Sequence, residues 1–405
     1  MNPFHPFPPY LAQKFLDRVD EERNVLENIN RGISTAIIGN PHIGKTSLLK
    51  KIAEHQQFKK ALHTASAWLT IEFFEAADAP EKFWQRVCEK AIASQPKITK
   101  PLKVFTNPVK YNPSVLFDVF EKLGAKGNRV IVFVDEFDKI LDRPYLKTID
   151  FIDPLQAFAQ KTQGLCLVIA SRKSIPELQE SIPVFGSPFE ANSFTLKSFD
   201  DVTVQELFAN SGLLPDAIEE AKLLGGHHPF LLHLAGDLLW KVKDKPVRQW
   251  YPQRDVFADK ATPHFNDVWK YLSPKSQLAI ILTALQKLEG KIGDVSFNIE
   301  DADKILLWLT KEVYELGSRA VLEQDENGKW TIGSIGFLFW LIENKIADAM
   351  TQDLPTFDKW LHDKQFKLAG SMTEEEIQFT QKVLKSIPAD IISLAKKAFL
   401  PKYLQ

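Results

Sequence analysis

Eight residues constrain the fold of this 405-residue chain more than any others: Gly39-Asn40-Pro41-His42-Ile43-Gly44-Lys45-Thr46 fit the pattern G-x-x-x-x-G-K-[ST]. The apolar run Ile33–Ile38 precedes them and reads as a buried strand. Ser47–Ala53 follows with helical spacing. A strand, a glycine-bearing loop and a helix in that order turn several backbone N–H groups inward, with the partial positive charge of the helix N-terminus behind them. Such a cradle suits phosphate oxygens. Lys45 can reach the outer phosphates of a nucleotide, and the Thr46 hydroxyl can ligate Mg²⁺. Gly39, Asn40, Pro41, His42, Ile43, Gly44, Lys45, Thr46 and Ser47 are therefore the expected nucleotide-binding residues.

A second strand is expected at Arg129–Val134, a nearly continuous apolar run typical of a central parallel strand. It runs straight into Asp135-Glu136. On a strand beside the P-loop strand, Asp135 can hold Mg²⁺ with Thr46, and Glu136 can orient and deprotonate an attacking water. A third apolar run, Leu165–Ala170, ends in Ser171-Arg172. Arginine there can face a transferring phosphoryl group, because it is always charged and binds in a fork. A surface arginine after a strand is the competing reading. Lys45, Glu136 and Arg172 are the expected catalytic residues.

Further strands are expected at Ala67–Phe73 and Ser193–Leu196, and helices near 20–30, at Pro80–Ser94, at Ser114–Leu123 and near 147–162. Strands alternating with helices imply a parallel sheet with right-handed crossovers. Residues 95–112 carry three prolines and Lys97, Lys100, Lys103 and Lys110, and read as a solvated surface loop. The proline-rich start, residues 1–10, reads as an extended arm.

Beyond residue 200 the pattern becomes helical, with breaks at Ser211-Gly212 and Gly225-Gly226. Gly225-Gly226-His227-His228-Pro229 opens an apolar helix, where proline is an ordinary first residue. His227 and His228 do not read as a metal site: His233 falls on another helix face and no cysteine lies near. Ala320–Leu322 and Trp330–Ile332 flank Asp325-Glu326-Asn327-Gly328, and Asn-Gly predicts a hairpin. Helices followed by a hairpin suggest a winged helix.

Composition narrows the setting. Lys+Arg 50 against Asp+Glu 52 gives a net charge of -2, so no global basic excess draws the chain to nucleic acid or an anionic membrane. Cys88 and Cys166 lie in apolar stretches and read as buried thiols, which suits a reducing compartment. No apolar run spans a bilayer and the N-terminus lacks signal-peptide features, so a cytoplasmic protein is expected.

The ordered set of motifs resembles the AAA-related P-loop ATPases of the STAND class and the related archaeal-type ATPases. The carriers are Phe15-x-x-Arg18-x-x-Glu21, Gly39–Thr46, Val130–Glu136, Ser171-Arg172 and Gly226–Pro229. The resemblance covers about residues 10–345. It implies ATP and Mg²⁺ as cofactors, Arg18 near the adenine, Pro229 against the adenine, and Arg172 sensing the γ-phosphate. It also implies an α/β P-loop NTPase core with a parallel sheet (1–199), an all-helical lid (200–262), a winged-helix domain (263–350) and a short helical tail (351–405). The expected activity is slow ATP hydrolysis in a switch that changes conformation or assembles with nucleotide state, in a defence or stress pathway. The expected partners are a second copy, a protein effector or a sensor chain. No repeat sensor follows the winged helix and residues 354–405 are too short for one. The alternative is a DNA-bound AAA+ ATPase of the initiator or transposition-regulator kind. DNA is the less favoured partner, since the lid turn Gly226–Pro229 lacks the initiators' arginine. The winged helix also balances Lys311, Arg319 and Lys329 with Glu312, Glu315, Glu323, Asp325 and Glu326.

Overall fold

The computed structural model describes residues 2–6, 16–54, 63–186, 189, 192–246, 250, 252–287, 291–292, 295–296 and 306–346. Phe15 and the tail 351–405 lie outside these residues. The chain forms two compact units: residues 8–39 with 44–196, and residues 1–7 and 40–43 with 197–405.

The first of these, the sheet unit, holds five parallel strands: β1 (Thr35–Ile38), β2 (Thr64–Thr70), β3 (Arg129–Asp135), β4 (Leu165–Ser171) and β5 (Ser193–Thr195). Their order across the sheet is β2-β3-β4-β1-β5. β4 is buried along its whole length and β3 nearly so, as their continuous apolar runs require. β2 alternates between buried and half-buried residues, the pattern of an edge strand. One face of the sheet is covered by aromatic packing in which Trp84 meets Phe83, Phe120 and Phe158, with ring centroids 5.3, 6.0 and 4.9 Å away. Both cysteines are buried free thiols, whose pKa burial pushes up to about 12.

Three expectations about this unit are corrected. The strand that ends in Asp135 is not the hydrogen-bonded neighbour of the P-loop strand, because β4 lies between them. The second strand runs from Thr64 to Thr70, and Ile71–Phe73 is a 3₁₀ turn. Its partner gives out at the Thr70↔Asp135 pair, so the chain tightens once no ladder remains to join. The lysine segment 95–112 is not a loose loop. It forms 3₁₀ turns at Lys100–Thr106 and Pro108–Lys110. Leu102 and Phe105 lie three residues apart, hence on one side of a 3₁₀ helix, and both are buried.

The other, mostly helical unit contains helices Asp201–Ala209, Pro215–Gly225, Pro229–Trp240, Pro252–Lys270, Pro274–Lys287, Thr310–Ser318 and Ile335–Leu341. The helix Pro252–Lys270 carries Pro263 in its interior, so the chain continues helically through position 262/263. Phe257, Ala261, His264, Phe265 and Val268 keep one buried stripe on either side of that proline. The hairpin pairs Glu323 with Thr331 and Gln324 with Trp330, later than the expected 320–322. Residues 320–322 instead close the preceding helix: Ala320 N–H donates to Gly317 O, and Val321 and Leu322 N–H donate to Leu316 O. The turn takes a three-residue form, with Gly328 N–H donating to Asp325 O at 2.9 Å and Gly328 at φ 74°.

Candidate functional site

Within the sheet unit, β1 stops at Ile38 and the Gly39 N–H donates to Ser171 O at 3.1 Å, which fixes the root of the loop to the end of β4. Gly44 sits at φ 109°, a backbone state that a side chain would strain, and its carbonyl accepts from Leu48 N–H as helix α2 (Lys45–Glu54) begins. Lys45 is buried, and its Nζ donates to Gly39 O at 2.7 Å. Burial lowers its pKa to about 8, against the upward pull of Asp138 and Asp135. Phosphate oxygens beside this amine would favour its charged form further.

Thr46 Oγ1 donates to Asp135 Oδ2 at 2.7 Å. That bond joins the two halves of the expected site across the width of β4. Asp135 is itself buried, and burial raises its pKa. Its second oxygen, Oδ1, accepts the Glu136 N–H at 3.0 Å. Glu136 adopts φ 51°, and its buried Oε2 has no hydrogen-bond partner among the described residues. Burial first, then the neighbouring Glu72 carboxylate, raise the Glu136 pKa to about 7. A carboxylate poised near neutrality suits proton transfer. The hydroxyl and carboxylate pair of Thr46 and Asp135 are hard oxygen donors of the kind Mg²⁺ takes, so they fit that ion.

Arg172 follows the last residue of β4. Its N–H donates to Asp138 Oδ1 at 3.0 Å and its Nε donates to Asp138 Oδ2 at 2.8 Å. Its charge acts on both Lys45 and Glu136, lowering the pKa of each. Asp138 is the residue that motif reading missed. It is buried, it holds Arg172, and it is the foremost charge acting on Lys45. The sequence carried a signal in Asp135-Glu136-Phe137-Asp138, where buried Phe137 anchors a 3₁₀ turn that brings the next carboxylate back under β4.

The two residues placed by resemblance are situated differently. Arg18 is a buried residue of the sheet unit at φ 68°, capping helix α1 (Val19–Arg31), with Nη1 3.3 Å from Glu21 Oε1. Pro229 is a buried first-turn residue of its helix in the helical unit. Residues 40–43 group with that unit as well. Asn40 Nδ2 donates to Arg319 O. His42, at φ 58°, lies with its Nδ1 3.1 Å from His264 Nδ1 and its ring 4.8 Å from Phe230. His228 packs at a tilt against the same His264, with ring centroids 4.6 Å apart. His227 has a separate role: it reaches Glu323 Oε2 at 2.7 Å and Asp201 Oδ1 at 3.0 Å. Those carboxylates, led by Glu323, raise its pKa to about 9.

Among the described residues, no helix is long and apolar enough to cross a membrane. Lys97, Lys100, Lys103 and Lys110 form no ion pair among the described residues.

No protein-family model matches the chain, and no curated protein matches it by sequence. Solved structures do. The Walker-type ATPase PABY2304 of Pyrococcus abyssi superposes with a TM-score of 0.55 at 16% identity, covering 82% of this chain and 97% of that one. The Aeropyrum pernix ORC2 protein, solved as ADPNP–ADP complexes, matches at 13% identity with a TM-score of 0.43, over 83% of this chain and 96% of its own. The Aeropyrum pernix ORC1 protein in complex with DNA matches at 13% identity with a TM-score of 0.39, over 82% and 93%. The last two superpose too loosely to carry an argument. The likeness shows the fold alone: this chain has the five-stranded parallel α/β sheet and mostly helical remainder of a fold shared with that Walker-type ATPase.

Proposed function

We propose that the protein binds ATP with Mg²⁺ on Gly39–Ser47 and hydrolyses it slowly, using the nucleotide state as a switch. The observation that supports this most is the 2.7 Å contact between Thr46 Oγ1 and Asp135 Oδ2, with Lys45, Glu136 and Arg172 gathered around it in one unit. Thr46 and Asp135 would hold the metal, which when bound offsets the negative charge of the outer phosphates. Glu136 orients a water at the γ-phosphorus and takes its proton as the oxygen bond forms and the bond to the ADP oxygen breaks. Lys45 and Arg172 lie where positive charge offsets the oxygens of the transferring group. Asp138 sets the direction of Arg172.

Lys45→Ala removes the main point charge on the phosphates and is expected to abolish ATP binding. Unchanged affinity in that variant would remove the site from the proposal. Glu136→Gln is expected to keep ATP bound and to slow hydrolysis by about 10²–10⁴-fold.

Two readings of the output remain, and they share this chemistry. In the first, the ATP form self-assembles or engages an effector chain, with Arg18 and Pro229 contacting the adenine and residues 263–350 acting as a winged helix. In the second, the ATPase works on DNA. One feature favours the second: Lys97, Lys100, Lys103 and Lys110, which form no ion pair among the described residues, share one surface segment, with Lys100 and Lys103 on a 3₁₀ turn anchored by buried Leu102 and Phe105, and clustered lysines are what phosphate neutralisation needs. Fluorescence anisotropy of a labelled duplex across a salt series separates them. Binding that Lys100→Glu/Lys103→Glu abolishes supports the DNA reading, and no binding at low salt excludes it.

A further inference from the structure

Past Thr70↔Asp135, the last pair of β2 and β3, both chains leave the sheet as 3₁₀ turns, Ile71–Phe73 and Phe137–Asp142. Ile71 and Phe74 are buried and anchor the first turn, with Phe74 N–H donating to Ile71 O at 3.0 Å. Glu72 is left at the surface between them, its side chain 53% exposed. A glutamate in such a place is ordinarily just solvated. This one is tied by both backbone and side chain. Its carbonyl oxygen accepts a hydrogen bond from Arg143 Nη2 at 3.1 Å, and its Oε1 lies 3.9 Å from Lys139 Nζ. Glu136 opens the turn that holds Lys139, and Arg143 closes it. Lys139 N–H donates to Glu136 O at 3.0 Å, so the clamp on Glu72 is built on the backbone of Glu136 itself.

The clamp sets the Glu72 carboxylate beside that of Glu136, within hydrogen-bonding reach. Of the charged neighbours of Glu136, Glu72 acts on it most strongly, ahead of Asp135 and Arg172. The positive charges that also act on Glu136 sit deeper: Lys45 is buried and the Arg172 side chain is 12% exposed. No donor among the described residues reaches the buried Oε2 of Glu136. Charge is then what turns that oxygen. Repulsion from the half-exposed Glu72 and attraction to the deeper Lys45 and Arg172 both drive an ionised Glu136 inward, and screening by solvent is weak for a group so placed.

We propose that Glu72 is a positioning residue for hydrolysis: from the turn after β2 it directs the Glu136 carboxylate inward, to the water that Glu136 activates. This deepens the ATPase reading above and rests on it. The test compares the full-length wild type with Glu72→Gln, Glu72→Asp and Glu136→Gln. Glutamine keeps the shape of Glu72 without its charge, and aspartate keeps the charge one methylene shorter. Because the side chain is half-exposed, both replacements leave the fold intact. Single-turnover hydrolysis at saturating Mg-ATP is measured beside equilibrium ATP affinity. Glu72→Gln is expected to slow hydrolysis on the order of tenfold, with affinity within about twofold of the wild type. Glu72→Asp is expected to recover most of that rate. Hydrolysis by Glu72→Gln at the wild-type rate overturns the proposal. So does a loss of affinity as large as the loss of rate, or a Glu72→Asp no faster than Glu72→Gln. A hydrolysing wild type, an inactive Glu136→Gln and an unaffected Glu72→Gln overturn this inference alone. A wild type that hydrolyses no ATP overturns the ATPase reading together with it.

Discussion

Lys45 shows how single side chains set the properties of this site. Burial lowers its pKa to about 8, and phosphate binding must favour the charged form. Binding therefore takes up a proton once the pH exceeds that value. ATP affinity is expected to be flat from pH 6.5 to 7.5 and to fall by about tenfold at pH 9, as measured by calorimetric titration. Asp138 is the foremost group holding the Lys45 pKa up, so Asp138→Asn should move the onset of that fall to lower pH while also releasing Arg172. An unmoved profile in Asp138→Asn would show that Asp138 acts only as a structural anchor. His227 provides an opposite case. Its pKa is raised to about 9 by Glu323 and Asp201 and is about 6.5 in an unfolded chain. The stabilisation it brings is complete below pH 6.5 and is lost as the pH rises through 9. Thermal melts should show that loss in the wild type and a flattened profile in Glu323→Gln. The residue level was also where the sequence spoke most clearly. Gly44, Lys45, Thr46, Asp135 and Glu136 stand out because their chemistry fixes their spacing along the chain. Asp138 did not, because its partner Arg172 is 34 positions away.

At the level of elements, the buried strands were legible and the short turns were not. Leu165–Ser171 and Arg129–Asp135 are continuous apolar runs, which only a central parallel strand accommodates. Their sheet order was hidden, because no local pattern shows that β4 intervenes between β3 and β1. That interposition brings Ser171-Arg172 under the loop: Ser171 O holds the Gly39 N–H, and Arg172 meets Asp138. The lysine segment was hidden for another reason. Three prolines and four lysines make the segment read as solvated, yet Leu102 and Phe105 at a spacing of three bury completely in a 3₁₀ turn. Leu102→Ala is expected to cost about 2–5 kcal/mol in a denaturant melt, as a core residue does and a loop residue does not.

For the whole molecule, the sequence shows a change from alternating strands and helices to helices near residue 200. What it could not show is that residues 1–7 and 40–43 keep company with the helical unit. Both are short segments whose packing partners lie more than two hundred positions away, such as Phe4 with Phe208 and His42 with His264. A switch needs a ligand that distinguishes two states, and the γ-phosphate contacts proposed for Lys45 and Arg172 are where ATP and ADP would differ.

The central claim is that Thr46, Asp135, Lys45 and Glu136 make one magnesium-dependent ATP site. Equilibrium ATP binding and phosphate release, measured side by side on the wild type, Lys45→Ala and Glu136→Gln with Mg²⁺ and with chelator, test it most directly. The account predicts binding and slow release in the wild type, no binding in Lys45→Ala, and binding without release in Glu136→Gln, all release stopping with chelator. Equal binding and equal release in all three proteins would contradict it.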